Sequence, residues 1–496
     1  MPAEQQLLIA GAWRAAASGA THEVRNAYTG EVATVQAAAG RADAEAAVVA
    51  AAEAFADWSV TSPAIRRDVL VAAGDALQDH AAEIAHIVSE ETAGTFGWGM
   101  FNVALAASMF RAAGALASEP TGEMVASDVP GLRSTAMRVP LGVCVGIAPW
   151  NAPVILAARA VVWALALGNT VVLKASEQSP RVHAAIAEAL LSAGLPDGAI
   201  NLITNDPADA AEVVGALIEH PETAHINFTG STRVGAMIAA QAAPLFKRTL
   251  LELGGKAPLL VLDDADLEAA AAAASFGAFM NSGQICMSTE RIVVDRTVHD
   301  AFVSQLAARA EALTTGSPFE DTTMVGPVVT AGASRRLREL VADARAKGAR
   351  IVSGEGEGEG EGEDEREGGD GPVHRPTIVD GVTPAMRLYG EESFGPVVAV
   401  VTADGVDDAV RIANDTDYGL AAAVFGADVD RALAVASRIR SGICHVNGAT
   451  VHDEATAPFG GVKSSGWGRF GSGEVVREFT TTRWITVSEQ PRQYPL

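Results

Sequence analysis

The run Gly142-Val143-Cys144-Val145-Gly146-Ile147-Ala148, an alanine-rich stretch from about Pro153, and Thr170-Val171-Val172-Leu173-Lys174 together decide the fold. Short β-branched runs read as strands, and the alanine-rich stretch between them reads as a helix. Strand, helix, strand in that order is a βαβ unit, whose two strands run parallel. The alternation continues with a helix after Pro180, a strand from Ile200 to Thr204 and a helix across Pro207 to Ile218. It then gives a strand from His225 to Thr229, a helix from Ser231 and a strand from Thr249 to Leu253. Repetition of this kind predicts a parallel sheet covered by helices on both faces, an α/β fold.

Outward from that core, the segment before Pro140 is expected to be mainly helical. Asp43 to Ala56 and Ile65 to Val88 both carry apolar residues at helical spacing. Beyond Gly255 a second α/β pattern begins, with strands at Ala257 to Leu262 and near Val398 and Ile443, and helices around Asp266 to Met280 and Val298 to Leu313. Thr135 to Val139 and Phe479 to Val487 are β-rich and fall outside both units. A chain of 496 residues exceeds what one hydrophobic core serves, so two or three domains are expected.

The formal net charge of −25 opposes binding to nucleic acid or to an anionic membrane surface. Much of it is local: Gly354 to Gly371 holds nine acids and one arginine among glycines. That composition reads as a disordered surface loop, with a divalent-cation or protein-docking role as the functional alternative. No apolar segment is expected to reach the roughly 18 residues needed to span a bilayer, and no basic, then apolar leader opens the chain. A soluble, cytoplasmic protein is expected.

Three cysteines, Cys144, Cys286 and Cys444, are too few and too scattered for a disulfide framework or a zinc site, and no metal is expected. Cys144 and Cys444 stand in apolar runs and read as small buried hydrophobes. Cys286 differs. It sits in Asn281-Ser282-Gly283-Gln284-Ile285-Cys286-Met287-Ser288, the small and polar surroundings of a reactive thiol. Upstream, Leu251-Glu252-Leu253-Gly254-Gly255-Lys256 puts a carboxylate at a strand end, followed by two glycines that let other groups approach the backbone. A nucleophile and a candidate base are thus paired.

These two segments resemble the NAD(P)-dependent aldehyde dehydrogenase superfamily. So do Pro149-Trp150-Asn151, Phe228-Thr229-Gly230-Ser231-Thr232, Glu391-Glu392-Ser393-Phe394-Gly395-Pro396-Val397 and Pro458-Phe459-Gly460-Gly461-Val462-Lys463. The resemblance implies two doubly wound, Rossmann-like parallel-sheet domains and a small β oligomerisation element. It places an NAD-binding domain at 1–122 and 141–250, a catalytic domain at 251–465, and the oligomerisation element at 123–140 and 466–496. A homodimer or homotetramer is implied, with the outer strands paired between subunits so that they are not exposed edges.

By the same resemblance Cys286 is the nucleophile, Glu252 the base and Asn151 an oxyanion donor. The usual Gly-x-Gly-x-x-Gly fingerprint of dinucleotide folds is missing; this superfamily holds the cofactor differently. Gly230 and Ser231 open a helix facing the pyrophosphate, Lys174 and Glu177 reach the adenosine ribose, and Glu392 and Phe394 hold the nicotinamide end, with Trp150 and Gly254 beside them. A carboxylate at Glu177 favours NAD over NADP because it accepts from a ribose 2′-hydroxyl and repels a 2′-phosphate.

Within the superfamily, Gly97-Trp98-Gly99-Met100-Phe101-Asn102-Val103, Val446-Asn447-Gly448-Ala449-Thr450-Val451-His452-Asp453-Glu454 and Arg483-Trp484-Ile485-Thr486 resemble aromatic aldehyde dehydrogenases of the salicylaldehyde, vanillin and benzaldehyde type. Trp98, Met100, Ile285, Met287, Val451 and Phe459 are expected as substrate walls. Arg159 either faces the substrate or forms an ion pair. An aliphatic or semialdehyde dehydrogenase is the alternative within the superfamily, and a non-catalytic binding or structural protein the alternative outside enzymes.

Overall fold

The computed structural model describes residues 2–119, 122–354, 372–471, 473–491 and 494. All of the acidic tract except Gly354 therefore lies outside the described residues. Two large sheets organise the rest. The first has eight strands in the order Gly466–Trp467, Arg248–Glu252, Thr223–Thr229, Val143–Ile147, Thr170–Lys174, Ile200–Ile203, Leu7–Ile9, Ala12–Arg14. Its five middle strands are parallel, and antiparallel strands close both ends. Val143–Ile147 and Thr170–Lys174 are buried at every residue, as strands covered by helices on both faces must be.

From Val143–Ile147 the chain adds strands to one side, then returns to place Thr223–Thr229 on the other. The strand order reverses between these two, which opens a crevice beyond their carboxyl ends. The helix Pro153–Ala166 follows the first of them. It starts on a proline, which loses no hydrogen bond in the first turn, and all 14 of its residues are buried.

The second sheet has seven strands in the order Arg350–Ser353, Thr377–Asp380, Val397–Ala403, Thr289–Asp295, Ala257–Val261, Ala423–Phe425, His445–Val446. All neighbours pair in parallel except at Arg350–Ser353. A third, antiparallel sheet joins Thr480–Ser488, Leu132–Pro140 and Gly122–Met124, the first two in register over nine residues. Thr480–Ser488 is an edge strand and leaves Trp484 71% exposed.

The structure departs from the sequence reading in four places. The first 37 residues hold five short strands, not helix; three of them are only three residues long, too short to show a period. The single helix expected over Ile65 to Val88 is two, Pro63–Asp79 and Ala81–Thr92, broken at His80. Phe96–Leu116 is a 21-residue helix long and apolar enough to span a bilayer by composition, against the expectation that no such segment exists. It packs between Pro63–Asp79, Ala81–Thr92 and Pro153–Ala166, and half of its most apolar stretch is buried inside the fold. Cys444 is half-buried rather than buried, while Cys144 is fully enclosed.

Candidate active site

The crevice at the reversal of strand order holds a cavity of about 320 Å3. Three strand ends supply its walls: Pro149, Trp150 and Asn151 beyond Val143–Ile147, Thr229 to Ser231 beyond Thr223–Thr229, and Glu252 to Gly254 at the end of Arg248–Glu252. Cys286, Glu392 and Phe394 reach it from the second sheet. Residues far apart in the chain thus meet at one place, as the topology requires.

Cys286 follows a short 3-10 turn, Met280–Gly283, in which Asn281, Ser282 and Gly283 have φ of 48°, 56° and 68°. Three successive left-handed residues, two of them not glycine, are strained and persist only when their surroundings hold them. Here they are held. Ser282 Oγ donates to the Gly326 carbonyl at 2.8 Å, Ser288 Oγ to the Gly283 carbonyl at 3.0 Å, and the Val329 N–H to Gln284 Oε1 at 2.9 Å. A side chain at Gly283 would meet the Gly395 carbonyl at 2.1 Å. The thiol is therefore presented by a rigid loop.

Glu252 is fully buried, and neither carboxylate oxygen has a hydrogen-bond partner within ordinary reach. Burial pushes its pKa up to about 8; Arg159 works against that rise, while Asp453 and Glu392 add to it. Burial also raises the Cys286 thiol well above its ordinary value, and the Glu252 charge raises it further. The thiol at rest is protonated, so a base must take its proton before it attacks.

The glycines after Glu252 matter because of what comes close to them. A side chain at Gly254 would lie 2.7 Å from Glu392 Oε2, and one at Gly255 would lie 2.3 Å from the Cys286 carbonyl. The Gly255 N–H donates to Glu392 Oε1 at 2.8 Å, and Ser465 Oγ donates to the Gly254 carbonyl at 2.6 Å. Burial lifts Glu392 to about 7, with Glu290 adding to the shift. Glu290 itself is paired with Lys256 at 2.7 Å and accepts from the N–H groups of Ser393 and Phe394 at 2.9 and 3.0 Å. This buried pair fixes the 392–394 turn, where Phe394 has φ 51° and meets Trp150 edge-on at 5.9 Å.

Asn151 is held on both of its groups. Its side-chain Nδ2 donates to the Gln284 carbonyl at 2.9 Å, and its backbone carbonyl accepts from Trp98 Nε1 and Asn281 Nδ2, each at 2.9 Å. An amide nitrogen carries two hydrogens, so one remains for a ligand near Cys286. Trp98, Ile285, Met287 and Phe459 belong to one buried apolar cluster against which Cys286 and Val451 pack, outside the walls of the 320 Å3 cavity.

Arg159 is ion-paired with Asp453, both nearly buried, and its guanidinium lies 4.0 Å from the centre of the Phe459 ring. Arg159→Leu is expected to move the Glu252-dependent limb of the pH–rate profile to higher pH, because burial is then opposed by one cation fewer. It should also leave Asp453 a buried, unpaired charge, at a stability cost of about 3–5 kcal/mol. A profile and melting temperature that both stay put would show the pair to be electrostatically silent.

Lys174 and Glu177 lie apart from the cavity, where Lys174 Nζ pairs with Glu177 Oε1 and Asn205 Nδ2 donates to the same oxygen at 3.0 Å. Burial alone would raise Glu177, but these partners outweigh it and hold the carboxylate below its ordinary value. Ser231 caps the helix Thr232–Ala242, accepting from the Val234 N–H at 3.4 Å. Sequence reasoning missed Glu290, Gln284, Ser465 and Asp453. A Glu inside the apolar strand Thr289–Asp295 was the one signal available for Glu290; the others act through pairings that no spacing reveals.

The sequence profile of the aldehyde dehydrogenase family matches residues 13–485, and the chain belongs to that family. It is 52% identical to a vanillin dehydrogenase of Pseudomonas fluorescens, over 99% of each chain. Among solved structures it resembles a salicylaldehyde dehydrogenase from Pseudomonas putida G7 complexed with salicylaldehyde, at 42% identity, a TM-score of 0.95 and full coverage of both chains. It also resembles a betaine aldehyde dehydrogenase from Staphylococcus aureus in complex with NAD+, at 31% identity and a TM-score of 0.93, over 99% of this chain and 96% of that one.

Proposed function

We propose that the protein oxidises aromatic aldehydes to carboxylic acids with NAD as hydride acceptor. The observation that carries this reading is the setting of Cys286: a rigidly presented thiol between a buried carboxylate with no hydrogen-bond partner and an amide with one free hydrogen.

The residues present fit the cofactor. The cavity is lined by Trp150, Gly230, Ser231, Glu392 and Phe394, and its walls come close enough to exclude a Cβ at Gly254. The N-terminus of Thr232–Ala242 offers unpaired N–H groups and a positive dipole end to a pyrophosphate. The Glu177 carboxylate, held ionised by Lys174 and Asn205, suits a ribose 2′-hydroxyl and opposes a 2′-phosphate. When bound, the nicotinamide supplies the acceptor for the hydride.

The chain's own residues do the rest. Glu252 takes the Cys286 proton, and the thiolate adds to the aldehyde carbonyl to give a thiohemiacetal. Asn151 Nδ2 and the Cys286 backbone N–H donate to the developing oxyanion; each such donor is typically worth about 2.7–4 kcal/mol of barrier. Loss of hydride leaves a thioester. Glu252, once it has passed that first proton to solvent, deprotonates a water that attacks the thioester; the acid leaves and the departing Cys286 thiolate takes up a proton again.

The aromatic assignment is supported by the apolar cluster that includes Trp98, Met287 and Phe459 and against which Cys286 packs, and by the substrates named for the relatives above. Benzaldehyde is expected to exceed acetaldehyde in kcat/KM by about tenfold or more, a factor that ring burial readily supplies, with NAD preferred to NADP. A panel of aldehydes read by NADH and NADPH formation decides both; a preference for acetaldehyde or succinic semialdehyde would sink the aromatic assignment. A homo-oligomer formed through the exposed edge strand Thr480–Ser488 completes the proposal.

A further inference from the structure

We propose that Asp453 is the hydrogen-bond acceptor for a hydroxyl group on the ring of the substrate, and so determines which substituted aromatic aldehydes are preferred; this rests on the aromatic reading above. The side chain of Asp453 is only 9% exposed. One of its oxygens is taken by Arg159 Nη2, while the other, Oδ1, is buried with no donor. A buried carboxylate oxygen left without a donor is costly to the fold, and that cost is relieved when a ligand brings one.

Its position fits such a ligand. Asp453 lies between Val451 and Phe459 in sequence, and both of those pack in the cluster that receives Cys286, Ile285 and Met287. The Asp453 charge acts on both Glu252 and Cys286, so it lies within electrostatic range of the reacting pair. The unpartnered oxygens of Glu252 are accounted for by its work as a base, whereas nothing in the thiol chemistry uses Asp453.

Arg159 is a poor alternative partner for the ring hydroxyl. Its charge is neutralised by Asp453, and one face of its guanidinium is covered by the Phe459 ring at 4.0 Å and approached by Phe470 at 5.9 Å. On the Asp453 side the pair leaves an acceptor free, Oδ1. A phenol can use it; a methyl ether or an unsubstituted ring cannot. A site built around an unpaired polar group discriminates strongly against ligands that leave it unpaired.

The test compares each of the three hydroxybenzaldehyde isomers with its own O-methyl ether, using kcat/KM ratios within each enzyme so that a general loss of activity cancels. In the wild type at least one isomer should exceed its ether by about tenfold or more. In Asp453→Asn, the amide oxygen turns to Arg159 and the NH2 group replaces Oδ1, so the free acceptor becomes a donor and the ratio should fall towards one. The double variant Arg159→Leu/Asp453→Leu removes both buried charges, avoids stranding either, and should lose the ratio too. A flat ratio in the wild type, or an unchanged ratio in both variants, overturns the role of Asp453 while good turnover of benzaldehyde leaves the aromatic reading standing. Failure to oxidise benzaldehyde at all overturns both.

Discussion

Cys286→Ala is expected to lower turnover by at least about four orders of magnitude while leaving NAD affinity within a few-fold of the wild type. Without the sulfur no covalent adduct forms, and what remains of the site cannot supply a second nucleophile at the same place. The residues proposed to hold the cofactor include Trp150, Ser231 and Phe394, which line other parts of the cavity wall, so binding measured by calorimetry should survive. The strained turn before Cys286 is held by hydrogen bonds of Ser282, Ser288 and Gln284 that do not involve the thiol, so the fold should survive as well. Residual turnover of a few per cent, or loss of NAD binding in a folded variant, would remove Cys286 from the covalent role.

How much of this could be read from the chain depends on the range of the interaction concerned. The run from Gly142 to Leu253 was legible because strand and helix periods are local, and the observed strands Val143–Ile147, Thr170–Lys174, Thr223–Thr229 and Arg248–Glu252 fall where the alternation puts them. The N-terminal strands were not, since Ala3–Gln5 and Leu7–Ile9 are fixed by partners about 30 and 195 residues away, at Val35 and Leu202. The site shows the same division. Cys286, Glu252 and Asn151 announce themselves through motifs; the Arg159–Asp453 and Lys256–Glu290 pairs join residues whose proximity only the folded chain creates. Arg159 was visible as a charge in an apolar helix, but whether it faced ligand or carboxylate depended on Asp453, nearly 300 residues on.

Glu252→Gln should separate the two halves of the reaction. The amide cannot deprotonate the attacking water, so the expected trace is a burst of about one NADH per active site followed by slow hydrolysis, with the burst itself slowed because the raised Cys286 thiol loses its base. Steady turnover at the wild-type rate would refute the base role. In the wild type, steps needing the Glu252 carboxylate should gain rate as pH rises through about 8. Stability should change in the opposite sense. Between the ordinary carboxylate pKa of 4.5 and about 8, the unfolded chain has lost the proton that the folded chain keeps. The folded state therefore binds more protons, and stability falls as pH rises through that window. Glu252→Gln carries no titrating proton, so its melting temperature relative to the wild type should be higher at pH 8 than at pH 5. Burial lifts Glu91 and Glu392 to about 7, and both remain in the variant, so part of the alkaline loss persists. A difference between variant and wild type that is the same at both pH values would show that Glu252 is already ionised in the folded enzyme, and that burial does not hold its proton.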